Sequence, residues 1–301
     1  MLANLARFLP VYREMLQIRD SLKRINSNIE AIRKMEGMRN RELELMHPRY
    51  GEAGRLNRYG FQVNSQNGED GIIHEIFQRI GESSRVFVEI GVGDGLENNT
   101  AFLLSQGWNG FWIDGSDSFL ETVKEYATDE SKGLTFSVSF VDKENITELL
   151  EQLQVPKIFD LLSIDIDINT FYIWQALRSF SPRVVVVEYN AAVPPDIEWK
   201  LHYVADRVWD GTQNFGASLK AFENLGRQLG YSLVGCDFNG INAFFVRDDL
   251  VAGKFAEPFT AENHYEPPRY HYVHRLGHAR SILDRQEPKF DSTTRLGADV
   301  F

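Results

Sequence analysis

Residues 86–100 read VFVEIGVGDGLENNT, and this stretch decides the predicted fold. Its first five residues are mostly large and apolar, as expected for a buried strand. Three glycines follow in close alternation, Gly91, Gly93 and Gly95, and the final NNT supplies N-caps for a helix. A strand, a glycine turn and a helix in this order let backbone N–H groups approach a ligand without Cβ atoms in the way. The stretch therefore predicts a nucleotide-like ligand at this turn, with a tight turn that binds nothing as the alternative.

The composition is that of a globular protein, and it excludes several classes. The chain has 301 residues and a formal net charge of −11, which argues against a general nucleic-acid-binding protein. Cys236 is the only cysteine, so the sequence has neither a disulfide framework nor a thiolate metal site. No apolar run approaches the roughly 20 residues of a membrane span, and a signal-peptide core is absent. We therefore expect a cytoplasmic protein.

The N-terminal segment carries apolar residues spaced alternately three and four apart. The positions a of this heptad pattern are Phe8, Met15, Leu22 and Ile29, and the positions d are Val11, Ile18, Ile25 and Ile32. Such a seam predicts a left-handed coiled coil, and Leu at a with Ile at d favours a homotrimer or homotetramer. Two alternatives stay open. The helix docks on its own domain, or, with Arg7 and Arg13 near the apolar residues 1–9, it lies on the inner face of the membrane.

The chain divides into four predicted parts. Residues 1–46 form the coiled-coil helix, residues 47–62 a linker rich in Pro and Gly, and residues 63–250 the α/β domain. Residues 251–301 form a C-terminal extension that serves as a lid or an oligomer contact. Strands and helices alternate through the third part, and its last two apolar strands are joined by Asn239-Gly240, a hairpin signal. We predict a doubly wound, Rossmann-like parallel sheet that ends in an antiparallel hairpin.

The glycine spacing discriminates between ligand classes. It does not match the G-x-G-x-x-G of dinucleotide-binding proteins, and no P-loop Gly-Lys-Ser/Thr follows. The string E-x-G-x-G-x-G instead resembles motif I of class I S-adenosylmethionine-dependent methyltransferases. That resemblance implies S-adenosylmethionine as cofactor, Asp114 as acceptor for the ribose hydroxyls and Asp142 as contact for the adenine amine. The candidate cofactor-binding residues are Gln66, Glu89, Gly91, Gly93, Gly95, Asn99, Asp114, Gly115, Ser116 and Asp142.

Several further motifs narrow the resemblance. SQNGEDGI, FVEIGVGDG, GWNGFWIDGS, SIDID, VVVVEYN and the segment from GASLKAF to VRDDL are similar to FkbM-like methyltransferases, over about residues 65–250. Many members act on sugars or glycan-related molecules, so the resemblance implies a sugar-containing or small-molecule acceptor. Gln66 and Glu69 precede the first strand, where a helix can fold over the methionine end of the cofactor. A helix cap with a solvated first turn is the alternative for these two residues.

Acidic residues end the two strands expected at the centre of the sheet. Asp165-Ile166-Asp167 follows strand four, and Glu188-Tyr189-Asn190 ends strand five. Because ligands bind at the carboxyl ends of parallel strands, we expect these side chains to converge as the catalytic group. Oxygen ligands of this kind suit Mg²⁺ or Mn²⁺. The arrangement is similar to catechol O-methyltransferase, which implies Asp165, Glu188 and Asn190 as metal ligands, with Asp167 second. Alternatively, Asp165 or Asp167 bonds the substrate or caps a helix.

Two rival functions remain open. Asp165-x-Asp167 also fits the D-x-D of metal-dependent glycosyltransferases, although those enzymes lack the glycine-rich motif. The family pattern has glycine after Asp167 where this chain has Ile168, which keeps a non-catalytic oligomeric scaffold in view. Trp199 and Trp209 are candidates for stacking on a sugar ring, with core packing as the alternative. The three histidines His271, His274 and His278 share a face if helical, and they serve either a metal or a lid.

Overall fold

The computed structural model describes residues 2–126 and 133–269. Within them, seven strands form one sheet in the order β3-β2-β1-β4-β5-β7-β6. The strands are β1 Val86–Ile90, β2 Asn109–Asp114, β3 Leu134–Val138, β4 Ile158–Ile164, β5 Ser181–Glu188, β6 Tyr231–Cys236 and β7 Asn242–Arg247. The first five strands run parallel, and β7 is antiparallel to both β5 and β6. This topology confirms the predicted doubly wound, Rossmann-like parallel sheet that ends in an antiparallel hairpin.

Helices cover both faces of the sheet. The helices are α1 Leu2–Leu45, α2 Glu69–Ile80, α3 Ala101–Ser105, α4 Phe119–Tyr126, α5 Ile146–Gln152, α6 Thr170–Ala176, α7 Leu219–Leu229 and α8 Ala261–His264. Alternate residues of β5 enter two separate cores. Val185 and Val187 pack with α5, α6 and α7, whereas Val184 and Val186 pack with α2, α3 and α4. Because both faces are buried, the strand reads as a continuous run of valines.

The sheet order sets the position of a ligand site. The chain winds from β1 outward to β2 and β3, and then returns to β4 on the other side of β1. Loops therefore diverge at the carboxyl ends of β1 and β4, and a crevice opens there. The predicted catalytic residues lie at the ends of β4 and β5, and most of the predicted cofactor-binding residues lie at the ends of β1 and β2. The fold thus brings the carboxyl ends of β2, β1, β4 and β5 to one edge.

Helix α1 projects its heptad seam into solvent. The seam residues from Met15 to Ile32 are between 38% and 62% exposed, so the α/β domain does not cover them. Only the C-terminal end of the helix is held, because Arg269 pairs with Glu44 at 2.9 Å and Arg58 donates to the carbonyl oxygen of Leu45. Over the described residues, no helix combines the length and apolarity that crossing a membrane requires.

The predicted linker and the start of the C-terminal extension pack against each other. Glu266 is fully buried, and its carboxylate accepts from Tyr50 Oη at 2.8 Å and from Asn57 Nδ2 at 3.2 Å. Arg269 donates to the same carboxylate at 2.8 Å. A buried charge is stable only when paired and hydrogen-bonded in this way. The histidines at positions 271, 274 and 278 lie outside the described residues.

Candidate active site

Two adjoining cavities open at the carboxyl ends of the strands. The larger has a volume of about 920 Å³ and the smaller about 320 Å³. Both are lined by Gly91, Asp114, Asp165, Asp167 and Trp209. Volumes of this size are typical of small-molecule sites. The two cavities therefore form one continuous candidate site across the switch point of the sheet.

The glycine turn shapes the floor of this site. Gly91 has a φ of +88°, and a Cβ atom there would lie 1.7 Å from the carbonyl oxygen of Asp165. Gly93 has a φ of +64°, but a Cβ atom at that position would meet nothing within 4 Å. Gly91 thus permits close approach of β1 and β4, while Gly93 keeps an open face toward the cavity. Gly95, also at positive φ, lines neither cavity and only closes the turn.

Glu89 holds the far side of the glycine loop. Its buried carboxylate accepts from Asn98 Nδ2 at 2.6 Å, from Asn99 N at 2.8 Å and from Thr100 N at 3.1 Å. Burial raises the pKa of Glu89, and these hydrogen bonds oppose that rise. Glu89 and Asn99 both line the larger cavity. Glu89 therefore contributes to the site by fixing residues 98–100 beside the larger cavity.

Asp114 connects the glycine turn to the smaller cavity. Its Oδ2 accepts from Val92 N at 2.8 Å and from Gly93 N at 2.9 Å, and its Oδ1 accepts from Ser116 N at 2.7 Å. Gly115 and Ser116 line the smaller cavity beside apolar side chains of Ile90, Ile113, Phe140, Val141 and Ile166. The structure thus brings Asp114, Gly115 and Ser116 together, as the sequence predicted, next to an apolar slot.

Two predicted cofactor residues lie at the margin or outside. Asp142 lines neither cavity, because its Oδ1 accepts the N–H groups of Glu144 at 2.9 Å and Asn145 at 2.7 Å ahead of α5. Its Oδ1 is engaged within the turn that precedes α5, and the structure does not bring it to the other candidates. Gln66 lines the larger cavity and donates from Nε2 to Glu97 at 2.8 Å. It lies at the exposed rim of the site.

A trio of carboxylates stands beside the glycine turn. Carboxylate oxygens of Asp165, Asp167 and Glu188 lie within 4.8 Å of one another. Asp165 is exposed to the cavity, and desolvation by the surrounding protein together with the charge of Asp167 raises its pKa to about 7. Burial and the charge of Asp165 raise the pKa of Glu188 well above its usual range. The two neighbouring charges raise each other's pKa, so ionisation of one carboxyl group disfavours ionisation of the other.

The third predicted metal ligand, Asn190, is turned away from this trio. Its fully buried amide donates from Nδ2 to the carbonyl oxygens of Gln213 at 2.7 Å and Phe215 at 3.0 Å, and it lines neither cavity. Asn190 thus positions the loop of residues 191–216. Asp167, given second place from sequence, occupies the third position of the cluster instead. The reason is that Asn190 satisfies backbone carbonyls that would otherwise be buried without a donor.

Ile168 has a structural role in the same loop. Its side chain is 2% exposed and packs with Val193, Trp199, Leu201 and Phe215 in a small separate core. Asp167, just before it, adopts a φ of +57°, a left-handed conformation that costs a non-glycine residue about 1 kcal/mol. The apolar anchor at Ile168 helps to hold this strained aspartate at the cavity. The presence of Ile168 after Asp167 is therefore compatible with an assembled carboxylate cluster.

The two candidate tryptophans lie in different environments. Trp199 is buried in the small core, whereas Trp209 lines both cavities. The indole Nε1 of Trp209 donates to the carbonyl oxygen of Thr212 at 2.7 Å, and its ring packs edge-on against Phe215 at 6.2 Å. The fixed aromatic ring of Trp209 therefore borders both cavities.

Sequence reasoning missed a polar corner made by α2 and β7. Asn67 and Asn242 line the larger cavity and donate hydrogen bonds to the carboxylate of Glu69. For Glu69 the sequence leaves two alternatives open, a place near the methionine end of the cofactor and a helix cap with a solvated first turn. Asn242 directly opposes Glu188 across the β5–β7 pair. The only sequence signal for Asn242 was its position just after the Asn-Gly turn. Its proximity to the strand-five acid depends on the antiparallel register, which that turn does not reveal by itself.

The solved structures that are similar to this chain have low sequence identity to it. No protein family and no curated protein matches the chain. Magnesium protoporphyrin IX methyltransferase (ChlM) from Synechocystis PCC 6803, solved with bound SAM, is 14% identical over 70% of this chain and 96% of that chain, with a TM-score of 0.38.

Two other solved structures are similar to the same extent. An S-adenosylmethionine-dependent methyltransferase from Clostridium acetobutylicum ATCC 824 is 14% identical over 62% of this chain and 93% of that chain, with a TM-score of 0.38. The CcbJ methyltransferase from Streptomyces caelestis is 12% identical over 65% of this chain and 97% of that chain, with a TM-score of 0.37. At such identities, the chemistry of this chain has to follow from its own residues.

Proposed function

We propose that the protein is an S-adenosylmethionine-dependent O-methyltransferase that acts on a sugar-containing acceptor. The observation that carries this proposal is the joint placement of the glycine turn, Asp114 and the carboxylate trio along one sheet edge. From β2 to β5 they follow consecutive neighbouring strands, so they line a continuous path of three strand spacings, about 14 Å. That length suits an extended cofactor that meets its acceptor at the β4–β5 end.

The residues present fit this cofactor. Asp114 would accept the ribose hydroxyls, Gly93 presents an open backbone face, and Gly115 and Ser116 border the apolar slot for a planar base. The cavity walls are strongly acidic, which suits a cationic donor. When bound, S-adenosylmethionine supplies an electrophilic methyl group on a positively charged sulfur. The part of the protein is to orient it and to exclude water.

The carboxylate trio has a place in the transfer itself. An acceptor hydroxyl beside Asp165 would lose its proton to that carboxylate as the new oxygen–carbon bond forms and the sulfur–carbon bond breaks. Asp165, beside Glu188, would keep that proton, and the methyl ether and S-adenosylhomocysteine would be the products. General-base assistance of this type typically contributes a factor of about 10² to 10⁴.

A divalent cation fits the same trio, and we propose it as an assisting cofactor. Three carboxylates within 4.8 Å provide hard oxygen ligands, and Oε2 of Glu188 is buried without a hydrogen-bond partner. Asp165, Asp167 and Glu188 would hold Mg²⁺ or Mn²⁺, which supplies Lewis-acid polarisation of a bound oxygen. Asn190 is not part of this set. Methyl transfer that proceeds unchanged after complete removal of metal by EDTA would contradict the assisting role.

The sugar class of acceptor, typical of FkbM-like enzymes, is supported by two features of the larger cavity. Trp209 offers an aromatic face of the kind that stacks on the C–H face of a sugar ring. Carboxylate and amide oxygens opposite that face accept hydrogen bonds from hydroxyl groups. Among the described residues, no Lys, Arg or His lines this larger cavity, although Arg207 lines the adjoining smaller one. The glycosyltransferase alternative is disfavoured instead by the glycine-rich turn bonded to Asp114, a feature that D-x-D enzymes lack.

We also propose that α1 assembles the protein into a parallel homotrimer or homotetramer. Glu14 falls at position g and Arg19 at position e of the next heptad, and both are exposed. In a parallel coiled coil these two positions face each other across neighbouring chains, so opposite charges would pair. The exposed apolar seam from Met15 to Ile32 would then be buried between copies.

Titration with S-adenosylhomocysteine tests the cofactor assignment. We expect binding by isothermal calorimetry, and we expect Asp114→Asn to weaken it about 10- to 100-fold through lost charge-assisted hydrogen bonds. Asp142→Asn is the matched control, since Asp142 lines neither cavity and should leave affinity unchanged. Absence of binding to the wild-type protein, with or without Mg²⁺, would refute the proposed function.

A further inference from the structure

The corner between α2 and β7 contains a buried hydrogen-bond acceptor, Asn242 Oδ1, that no donor among the described residues satisfies. Asn242 is 3% exposed and lines the larger cavity. Its Nδ2 donates to Glu69 Oε1 at 2.7 Å, which fixes the orientation of the amide, but its Oδ1 has no hydrogen-bond partner. A buried polar atom left unpaired costs about 1–3 kcal/mol. A ligand that carries a hydrogen-bond donor would therefore satisfy Asn242 Oδ1 in this orientation.

Glu69 adds a negative charge to the same corner. Its carboxylate is 1% exposed and accepts from Asn67 N at 2.7 Å, Asn67 Nδ2 at 3.0 Å and Asn242 Nδ2. All of these donors are neutral amides, and no Lys, Arg or His of the described chain pairs with Glu69. Its charge is felt nearby, because it contributes to the raised pKa of both Asp165 and Asp237. The corner thus lacks a cation.

The rest of the cavity does not supply one. Eight carboxylate residues line the larger cavity, and within the described ranges no basic residue does. A divalent ion on the proposed metal ligands would neutralise only the trio on β4 and β5. A ligand group with a carboxylate or phosphate would be repelled by Glu69, and a hydroxyl would leave its charge uncompensated. A protonated amine has three donors and the required charge.

The position of the corner decides which molecule carries this amine. Asn242 lies on β7, four strands from Asp114 on β2, which corresponds to about 19 Å at roughly 4.8 Å per strand. Six single bonds separate the ribose ring from the amino group of S-adenosylmethionine, a reach of roughly 8 Å, and the hydrogen bond and sugar ring between that chain and Asp114 add roughly 6 Å. A cofactor whose ribose is held at Asp114 therefore ends short of β7. The corner on β7 is left to the acceptor.

We propose that Glu69 and Asn242 bind a protonated amino group of the acceptor, so that the substrate is an amino sugar. This assignment rests on the proposed methyltransferase function and specifies its substrate class. The amine would donate to Asn242 Oδ1 and to the carboxylate of Glu69, while the sugar ring lies under Trp209. The hydroxyl to be methylated would then point toward Asp165.

Ligand-observed NMR on protein saturated with S-adenosylhomocysteine tests this proposal. The probes are D-glucosamine, N-acetyl-D-glucosamine and D-glucuronate at mildly acidic pH, where the free amine is protonated. We expect D-glucosamine to bind at least tenfold more tightly than its uncharged N-acetyl derivative, and D-glucuronate to bind weakest. Glu69→Gln, which keeps the shape but removes the charge, should abolish the preference for the amine. Glu148→Gln, the same change on the exposed side of α5, is the control.

The outcomes separate this proposal from the proposed function. The amino-sugar proposal would be overturned by equal binding of D-glucosamine and N-acetyl-D-glucosamine, by tighter binding of D-glucuronate, or by no binding of any probe. These results are obtained on the wild-type protein and do not depend on a variant. If Glu69→Gln instead weakens S-adenosylhomocysteine alone, the corner holds the amine of the cofactor and the acceptor assignment is wrong. S-adenosylhomocysteine is titrated separately, so its failure to bind would refute the methyltransferase function on its own.

Discussion

At the scale of single residues, the same residue type serves different purposes according to the donors around it. Asp114 and Asp142 both follow strands and were both assigned to the cofactor from the family resemblance. Asp114 meets the glycine turn and the cavities, whereas Asp142 meets the free N–H groups before α5. Sequence position alone does not distinguish a capping carboxylate from a ligand-binding one, since both favour the start of a helix.

Gly91 and Gly93, the two glycines of the turn that line the site, should differ in their tolerance of a side chain. Gly91→Ala should destabilise the protein by several kcal/mol or prevent folding, because its Cβ would overlap the backbone of Asp165. Gly93→Ala should cost only about 1 kcal/mol, from the positive φ alone, since the space around it is open. Urea unfolding of both variants measures the difference. Equal losses of stability would show that β1 and β4 do not approach as described.

His264 should make stability sensitive to acid. It is 3% exposed, its Nε2 bonds to the carbonyl oxygen of Ala256, and burial lowers its pKa to about 3. Below a pH of about 6.5 the unfolded chain binds a proton that the folded chain does not, so this contribution to stability is lost as pH falls. The difference in unfolding free energy between wild type and His264→Gln should shrink by about 2 kcal/mol between pH 7 and 5.

The comparison with the variant isolates this effect from the buried acids. Asp165 and Asp237 have raised pKa values, each about 7, so they contribute stability at low pH that is lost as pH rises. Both remain in the variant and cancel in the difference. A difference that stays flat from pH 7 to 5 would mean that His264 accepts a proton in the folded protein.

At the scale of elements, the sequence predicted the strands and the turn chemistry well. The VFVEI strand, the alternating glycines and the Asn-Gly hairpin each depend on local residue preferences, and these locate β1, its turn and the β6–β7 pair. The direction of Asn190 and the closeness of Asn242 to Glu188 could not be predicted in the same way. Both depend on which loop or strand packs alongside, which is a property of the tertiary fold.

The loop of residues 191–216 illustrates such a tertiary property. Ile168→Ala would leave a cavity in the small core beneath it and should cost about 2–5 kcal/mol locally. We expect faster amide hydrogen exchange in this loop, with the sheet strands still protected. Ile173→Ala, an equally buried position in the main core, should instead lower global stability. Unchanged exchange in the loop would show that Ile168 does not anchor it.

At the scale of the whole molecule, α1 is the feature that the α/β domain does not explain. Its seam is exposed from Met15 to Ile32, and the contacts with the domain among its described side chains lie in its last two turns, from Arg41 to Leu45. Burial of apolar area stabilises association by about 25 cal/mol per Å², so a seam this long strongly favours partner helices. Parallel assembly would place several active sites on one stalk.

Light scattering of point variants tests this assembly without removing the helix. We expect the wild type to have three or four times the chain mass of 34.6 kDa. Leu22→Gln with Ile25→Gln should reduce it toward one chain, because both residues lie in the seam. Lys23→Gln with Arg24→Gln, off the seam, should leave the mass unchanged. A wild-type monomer would contradict the coiled coil, and binding of that monomer to anionic vesicles would favour the membrane-surface alternative.

A methyl donor should lie at the carboxyl edge of this sheet, and a crystal structure of the full chain with S-adenosylhomocysteine would show whether it does. We expect ribose hydroxyls on Asp114, the adenine between Phe140 and Ile166, and the sulfur beside Gly91 and Asp165. Density for the ligand at any other place, or a glycine turn without ligand at saturating concentration, would contradict it.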